Sequence, residues 1–560
     1  MTDSSKSNEK PAIDSTHRGG PAGVTDIGII SSSSNARPPV PKLRKTRQAE
    51  PEVAKHEAAQ DAGLVKPEEV QPEIYRDPRL KELGFILDER HRVLVVSKEA
   101  GKPVAVPANS KIGRGLVRKS MNRDGATLIK RVEINEVIEG IEEILDASDL
   151  TQVVPYRIAR VCDHDIVIDA GDRKGTRYHI TDQGVFENTK EADAVIFARS
   201  PNAEVIKCAE KGRVDLLEKY LNVGEQQLWL LIAWLAYTIA TPKLQGTKFV
   251  HLVLSGSEGS GKSFTSTVLA SLIDSQSVKA SAFPSDKKSL AIALSQSHIS
   301  VFDNMRTINA QSSDLLAQTS SRATTVDRRL YTDGEQHLMI LHSACIMNGI
   351  YEISKYPDFI QRALVIQMTP LSKGGYTSEA SLQECFEQDR PAIQRGLYDL
   401  IANVLAKLNT VKLKVNSRMV DWYRFLTAMD QVVNLDFELA EAYENMVEAA
   451  QLDNLQNDTL TAAIIEWGCK ESEASWTGTA AELLRKLERT SVVGEGYTRD
   501  FPKNPVQLGR RLAGIQASLE QQGISITRSR GKLRKVTIIF SDEFMKSARD
   551  EMSHADDHLY

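Results

Sequence analysis

The sequence predicts a multidomain α/β protein, and three observations carry that prediction. Its 560 residues, 41% apolar and 26% charged, suffice for three or four folded units. Between residues 246 and 370 the apolar runs FVHLVLSG, HISVF, LMILHSACIM and ALVIQM alternate with helical segments, as a parallel sheet covered by helices requires. Before that core the sequence reads as an α+β domain, and after it as helices followed by a small domain of three helices and two strands.

Residues 1–72 are rich in Ser, Pro, Lys and Glu and poor in aromatics, so they cannot bury enough apolar surface to offset the entropy of ordering and are expected to form a disordered arm. Its basic cluster, Lys42 to Arg47, could touch nucleic acid, but an exposed charge run is more often a solvated segment. Residues 73–205 contain the strand-like runs RVLVVS, IVIDAG, TRYHIT and AVIFAR with a helix near Val132 to Leu145. Asp163 and Asp165 in VCDHDIVID alternate as metal-holding carboxylates do, but no third acid accompanies them, and a polar turn entering a strand accounts for both. Residues 206–245 form a helical collar. Its run from Leu228 to Ala240 is apolar on every face yet too short for a bilayer core that needs about 20 residues, so a buried helix and no membrane partner are expected. Residues 371–453 read as helical, 454–545 as the C-terminal domain and 546–560 as a tail.

Five scattered cysteines without CxxC spacing argue against a zinc site or a disulfide framework, and the first residues lack an apolar signal region, so a cytoplasmic location is expected. A net charge of -5 does not advertise a polyanionic partner; any nucleic-acid surface has to be a local basic patch.

The chemistry begins at GSEGSGKS, which fits GxxxxGKS and lies between the strand FVHLVL and a helix starting near Lys262. Gly256, Ser257, Glu258, Gly259, Ser260, Gly261, Lys262, Ser263 and the following Phe264 form the expected cradle for ATP. Glycines let successive N–H groups face the phosphates, Lys262 adds a cation, and the Ser263 hydroxyl suits Mg²⁺. A carboxylate at the end of a neighbouring strand completes such a metal shell, and HISVFDN offers Asp303. The next residue is Asn304, whose amide can orient a water but cannot take its proton. Asn348, ending the run HLMILHSACIMN, is placed to meet a γ-phosphate or the attacking water, or else is a turn residue before Gly349. Arg362, just before the last strand of the core, is placed to reach the nucleotide of a neighbouring subunit and stabilise charge as the γ-phosphoryl leaves.

With these residues in place, the segment from Gly256 to about Pro370 resembles the superfamily III helicases, a branch of the AAA+ ATPases, and in particular the helicase modules of phage and mobile-element primase-helicases. The resemblance implies that QTSSRATTVDRRLYTDGEQ is a hairpin projecting into a ring channel, with Arg328, Arg329 and Tyr331 as candidate DNA contacts, and that the ring is a hexamer with ATP between subunits. This sequence has Ser320 and Ser321 where the family often has paired glycines, and Asn304 where it often has an acid.

In the C-terminal domain the order LTAAIIEWGC, a short segment with Trp476, TAAELLRKLER, PVQLGRRLAGIQASLEQQG, ISITRSR and KVTIIF suits a winged helix. Leu508, Leu512, Ile515 and Leu519 recur at helical spacing and should face the core, leaving Arg510 outward and Arg511 at the flank. Arg528, Arg530, Lys532, Arg534 and Lys535 surround Gly531 as in a wing that contacts phosphates. The expectation is an ATP-dependent DNA motor, a ring helicase of a phage or mobile element, working with a replication or loading partner. The competing readings are an ATP-gated DNA-binding switch that does not unwind, and a monomeric P-loop kinase, in which Arg362 and the hairpin would have no role.

Overall fold

The computed structural model describes residues 80–546 apart from 81–82, 90, 123–128, 149, 163–164, 201, 244–245, 278–279, 296, 306–307, 329–335, 350–355, 371–377, 414–416, 471–472, 495–500 and 530–534. It is a mixed α/β chain with several hydrophobic cores. Asp163, with Arg329, Tyr331, Arg530, Lys532 and Arg534, lies outside the described residues.

The N-terminal part, read as an α+β domain, builds two sheets. Strands β1 (Gly84–Asp88), β2 (Val93–Glu99) and β3 (Lys102–Pro107) form an antiparallel meander followed by helices α1 (Lys111–Met121) and α2 (Arg131–Ser148). After β4 (Thr151–Gln152), strands β5 (Ile158–Cys162), β6 (Asp165–Asp169), β7 (Arg177–Thr181) and β8 (Gly184–Glu187) make a separate four-stranded meander. Helix α3 (Lys190–Ala194) then leads to β9 (Phe197–Ala198), which returns to close the five-stranded sheet β4-β1-β2-β3-β9. In α2 the buried residues Ile134, Ile138, Ile141 and Leu145 recur at helical spacing, each contributing roughly 1.5–3 kcal/mol by burial against the first sheet.

Arg157 fastens the second sheet to the region that follows. Only 2% exposed, it pairs with Asp274 at 3.0 Å and donates to the carbonyls of Asp169, Glu204 and Ser275. A guanidinium tolerates such burial only when its fork of N–H groups is satisfied in this way. Burial opposes the charge on Asp274, but Arg157 and the His298 backbone N–H hold its carboxyl below the usual range.

The expected collar differs at its start: Val214–Lys219 is a 3-10 segment, short and without a side-chain cap, held to a later helix through the Arg213 N–H and the Ala392 carbonyl. Helix α4 (Glu225–Ala240) is buried at every residue from Leu228 to Ala240. No described helix is long and apolar enough to cross a membrane.

Next come β10 (His251–Gly256), α5 (Lys262–Ile273), α6 (Lys287–Ser295), β11 (Ile299–Met305), α7 (Ala310–Thr319), β12 (Ala323–Arg328), β13 (Gln336–Leu341), β14 (Ala344–Gly349), α8 (Pro357–Ile360) and β15 (Ala363–Met368). Strands β11-β14-β10-β15 form an all-parallel sheet in that order, and β12 pairs antiparallel with β13 as a separate hairpin. The runs FVHLVLSG, HISVF and ALVIQM supply β10, β11 and β15 of this sheet, whereas LMILHSACIM, read as one run, is divided between the hairpin strand β13 and the sheet strand β14; β10 and β14 are buried on both faces as parallel sheets demand.

Helices α9 (Glu379–Leu408), α10 (Val420–Asp430) and α11 (Leu439–Asn457) follow, α11 running through the expected boundary at 453/454. The C-terminal part comprises α12 (Thr459–Lys470), β16 (Ser475–Thr479), α13 (Ala480–Leu487), α14 (Ser491–Gly494), α15 (Pro505–Gln521), β17 (Ile524–Arg528) and β18 (Lys535–Phe540). Asp458 accepts the Thr461 N–H at 2.9 Å and so starts α12. The short segment with Trp476 is a third strand, giving the sheet β16-β18-β17. Leu508, Leu512 and Leu519 are buried in its core and Ile515 packs against it.

Candidate functional site

The segment Gly256 to Ser263 links the carboxyl end of β10 to the start of α5, and its glycines are required by geometry. Gly256 has φ +150°, and a Cβ there would lie 2.5 Å from the Met368 carbonyl oxygen of β15. Gly261 has φ +86° and caps α5 with no side-chain hydrogen bond. The first-turn amides of α5 are thus offered to whatever anion enters the loop, with the positive end of the helix dipole behind them. Ser257, Glu258 and Gly259 are exposed, Ser260 is buried with its hydroxyl donating to the Ser257 carbonyl at 3.0 Å, and Phe264 is half-buried.

Lys262 folds back over this loop, its ammonium donating to the carbonyls of Gly256 at 2.9 Å and Ser257 at 2.6 Å. Partial burial lowers its pKa against the opposing charges of Asp303 and Glu258. Ser263 donates to Asp303 Oδ1 at 3.2 Å, so the two residues expected to share a cation do meet. A hydroxyl and a carboxylate are hard oxygen donors of the kind an octahedral divalent cation takes.

Asn304 stands at φ +54°, a left-handed conformation that Asn tolerates better than most residues. Its N–H is shared between Asp303 Oδ1 at 2.7 Å and Asn348 Oδ1 at 2.9 Å. Asn348 is only 1% exposed and its amide nitrogen donates to Ser266 Oγ at 3.0 Å, so the amide ties the end of β11 to α5. Ser266 was not singled out in the sequence because a hydroxyl one turn into a helix carries no pattern of its own. The same holds for Asn222, whose amide donates to the carbonyls of Thr369 at 2.7 Å and Ser260 at 3.4 Å.

Arg362 lies at the other end of the sheet. Strands β10 and β15 run in register from His251 beside Ala363 to Gly256 beside Met368, and the Arg362 carbonyl accepts the His251 N–H. A six-residue strand puts it roughly 20 Å from its own glycine loop. Its guanidinium pairs with Asp358, whose carboxylate also binds Arg418 at 2.9 Å. Neither partner was foreseen, although Asp358 one turn before Arg362 is a helical pairing the sequence displays.

The remaining expected residues are scattered. Arg328 ends β12 opposite Gln336. Ser320, standing where paired glycines were expected, is buried and donates to the Phe249 carbonyl at 2.6 Å, which joins the hairpin's base to the lead-in of β10. On α15 Arg510 is exposed, whereas Arg511 pairs with Asp458. Arg528 and Lys535 are exposed at facing ends of β17 and β18.

Fold and site together define a mixed α/β protein of several cores, whose parallel sheet gathers a glycine loop, a lysine, a hydroxyl and a carboxylate at the carboxyl ends of its strands. Residues 214–458 match the family described as the actinomycete integrative conjugative element replication protein, and residues 460–550 match the C-terminal domain of that element's RepA. Over these two abutting stretches, more than half of the chain, it belongs to that replication-protein family, in keeping with the mobile-element resemblance of its motifs. Among solved structures, the apo C-terminal region of NrS-1 is similar at 12% identity and TM-score 0.39, covering 84% of this chain and 99% of that one. SCCmec type IV Cch, described as an active helicase, is similar at 11% identity and TM-score 0.40, covering 82% and 91%. A JCV helicase is similar at 12% identity and TM-score 0.19, covering 39% and 69%. No curated protein matches.

Proposed function

We propose that this replication protein is an ATP-dependent DNA motor, a ring-forming helicase whose ATP sites are completed by neighbouring subunits. One observation carries the reading: Lys262, Ser263 and Asp303 converge at the carboxyl edge of the sheet, while Arg362 sits at the opposite edge of the same sheet, beyond reach of its own loop. An arginine so placed serves a nucleotide only across an interface, and a heterologous interface repeated around an axis closes a ring.

In this reading Lys262 exchanges the loop carbonyls it now holds for phosphate oxygens, and the glycine loop and first-turn amides of α5 bind the β- and γ-phosphates. Ser263 and Asp303 would hold Mg²⁺, which screens phosphate charge when bound. Asn348 keeps Asn304 in position at the end of β11. Arg362 leaves Asp358 for the neighbour's γ-phosphate as charge develops there. The hairpin residues Arg328, Arg329 and Tyr331 are proposed to grip DNA in the channel. The C-terminal part is proposed to be a winged helix, with Arg510 on α15 and Arg528 to Lys535 in its wing; Arg511, paired with Asp458, is the weakest of these contacts.

A second reading, an ATP-gated DNA-binding switch without unwinding, is favoured by Asn304, which cannot accept a proton from water. Strand displacement on forked DNA separates the two. The motor predicts DNA-stimulated turnover with displacement, both lost in Lys262→Ala and Arg362→Ala. Turnover without displacement supports the switch, and full activity in Arg362→Ala removes the trans role.

A further inference from the structure

We propose that helix α1 of the N-terminal part is a second DNA-binding surface, one that takes the phosphate backbone of a strand along its outward face. The proposal rests on the DNA-motor reading and gives a role to a region that reading leaves idle.

Lys111, Arg114 and Arg118 recur at i, i+3 and i+7, so they form one stripe along α1. Lys111 and Arg118 are exposed and, among the described residues, have no ion-pair partner. Arg114 is half-buried and donates to the Asn109 carbonyl, which leaves its charge unneutralised. Lys111 to Arg118 spans roughly 10 Å of helix, more than one small anion covers and about the run of several phosphates along a strand.

Gly115 sits within this stripe, and packing does not explain it. A Cβ at Gly113 would collide with the Pro107 carbonyl oxygen at 2.2 Å, so that glycine is demanded by the fold. A Cβ at Gly115 would meet nothing within 4 Å. A mid-helix glycine costs roughly 0.5–1 kcal/mol relative to alanine, and here the cost has no compensation inside the protein. It leaves a flat gap between three cations, which suits close approach of a sugar-phosphate backbone.

The surface leads somewhere. Ser110 and Lys111, at the amino end of α1, line a cleft of about 570 Å³ between the N-terminal part and the parallel sheet, with Arg92 and Arg199 on one wall and Ser300 to Phe302 of β11 on the other. Asp303 is the next residue of that strand. A strand held on α1 and continued from Lys111 into this cleft would reach β11, the element that bears the proposed metal-binding carboxylate, so binding there is expected to stimulate turnover.

The test uses the full chain, a fluorescein-labelled oligo-dT and anisotropy over a salt series, with ATP turnover measured beside it. Lys111→Glu/Arg118→Glu is expected to weaken binding at least tenfold, to reduce the salt slope by about 1.4 if each residue meets one phosphate of a single strand, and to remove part of the DNA-stimulated turnover while basal turnover stays. Gly115→Leu is expected to weaken binding while the melting temperature rises; a purely structural glycine would lower it. Unchanged affinity and slope in the charge reversal overturn the proposal. If DNA binding then disappears only on reversing Arg528 and Lys535, the motor reading stands without it. If turnover is absent in the parent chain, it is that reading that has failed.

Discussion

At the residue scale the candidate site is a set of hydrogen bonds that the proposed nucleotide would rearrange. Lys262 on the loop carbonyls and Arg362 on Asp358 are each held by groups that phosphate oxygens would replace. Asn304 is the residue whose chemistry bears on rate. Its positive φ is tolerated by Asp as well as Asn, so Asn304→Asp is expected to fold normally and to raise basal ATP turnover severalfold by supplying a proton acceptor. Steady-state turnover at saturating ATP checks this; an unchanged rate would mean that another group accepts the proton. The places of the glycine loop, Asp303 and Arg362 at the ends of the sheet strands were legible in the sequence because motif, strand and spacing coincide. The bonds of Asn348 were not, because they join β14, β11 and α5 over separations that no local pattern records.

At the element scale, strands buried on both faces announced themselves as continuous apolar runs. Ser475–Thr479 did not: SWTGT is a five-residue edge strand with only Trp476 large and apolar, too short a pattern to read as more than a connecting segment. The division of residues 73–205 into two sheets was equally hidden, since β9 rejoins the first sheet after a whole intervening meander. Packing between elements gives a direct prediction. Gly468 of α12 faces the Phe540 ring of β18 so closely that a Cβ would lie 2.4 Å from it. Gly468→Ala is expected to cost about 1–3 kcal/mol by overpacking, read as a lower melting temperature of the C-terminal unit and weaker DNA binding. A melt identical to the parent would show that the helix and sheet can separate freely.

At the scale of the whole molecule, three buried histidines link stability to pH. Burial pushes His251 and His298 down to about 4 and His342 down to about 3; His298 and His342 pack on the Phe249 ring and His251 stacks on Phe359. Their unfolded values lie near 6.5, so the unfolded chain binds more protons between about pH 6.5 and 4. Stability is therefore full above pH 6.5 and falls as pH drops through that window, by about 1.4 kcal/mol per pH unit for each histidine. Thermal melts at pH 7, 6 and 5 should show a progressive fall, and His342→Phe should flatten it. A flat profile in the parent would mean that these rings are reached by water.

The proposed inter-subunit ATP site is tested most directly by mixing two chains expected to be inactive. Lys262→Ala lacks a working loop but keeps its arginine, and Arg362→Ala lacks the arginine but keeps its loop. Strand displacement and ATP turnover of the mixture are then measured against each variant alone. If sites are completed across subunits, mixing restores activity that neither variant has, because interfaces pairing an intact loop with an intact arginine form again. A mixture as inactive as its components, or Arg362→Ala that works alone, contradicts the account.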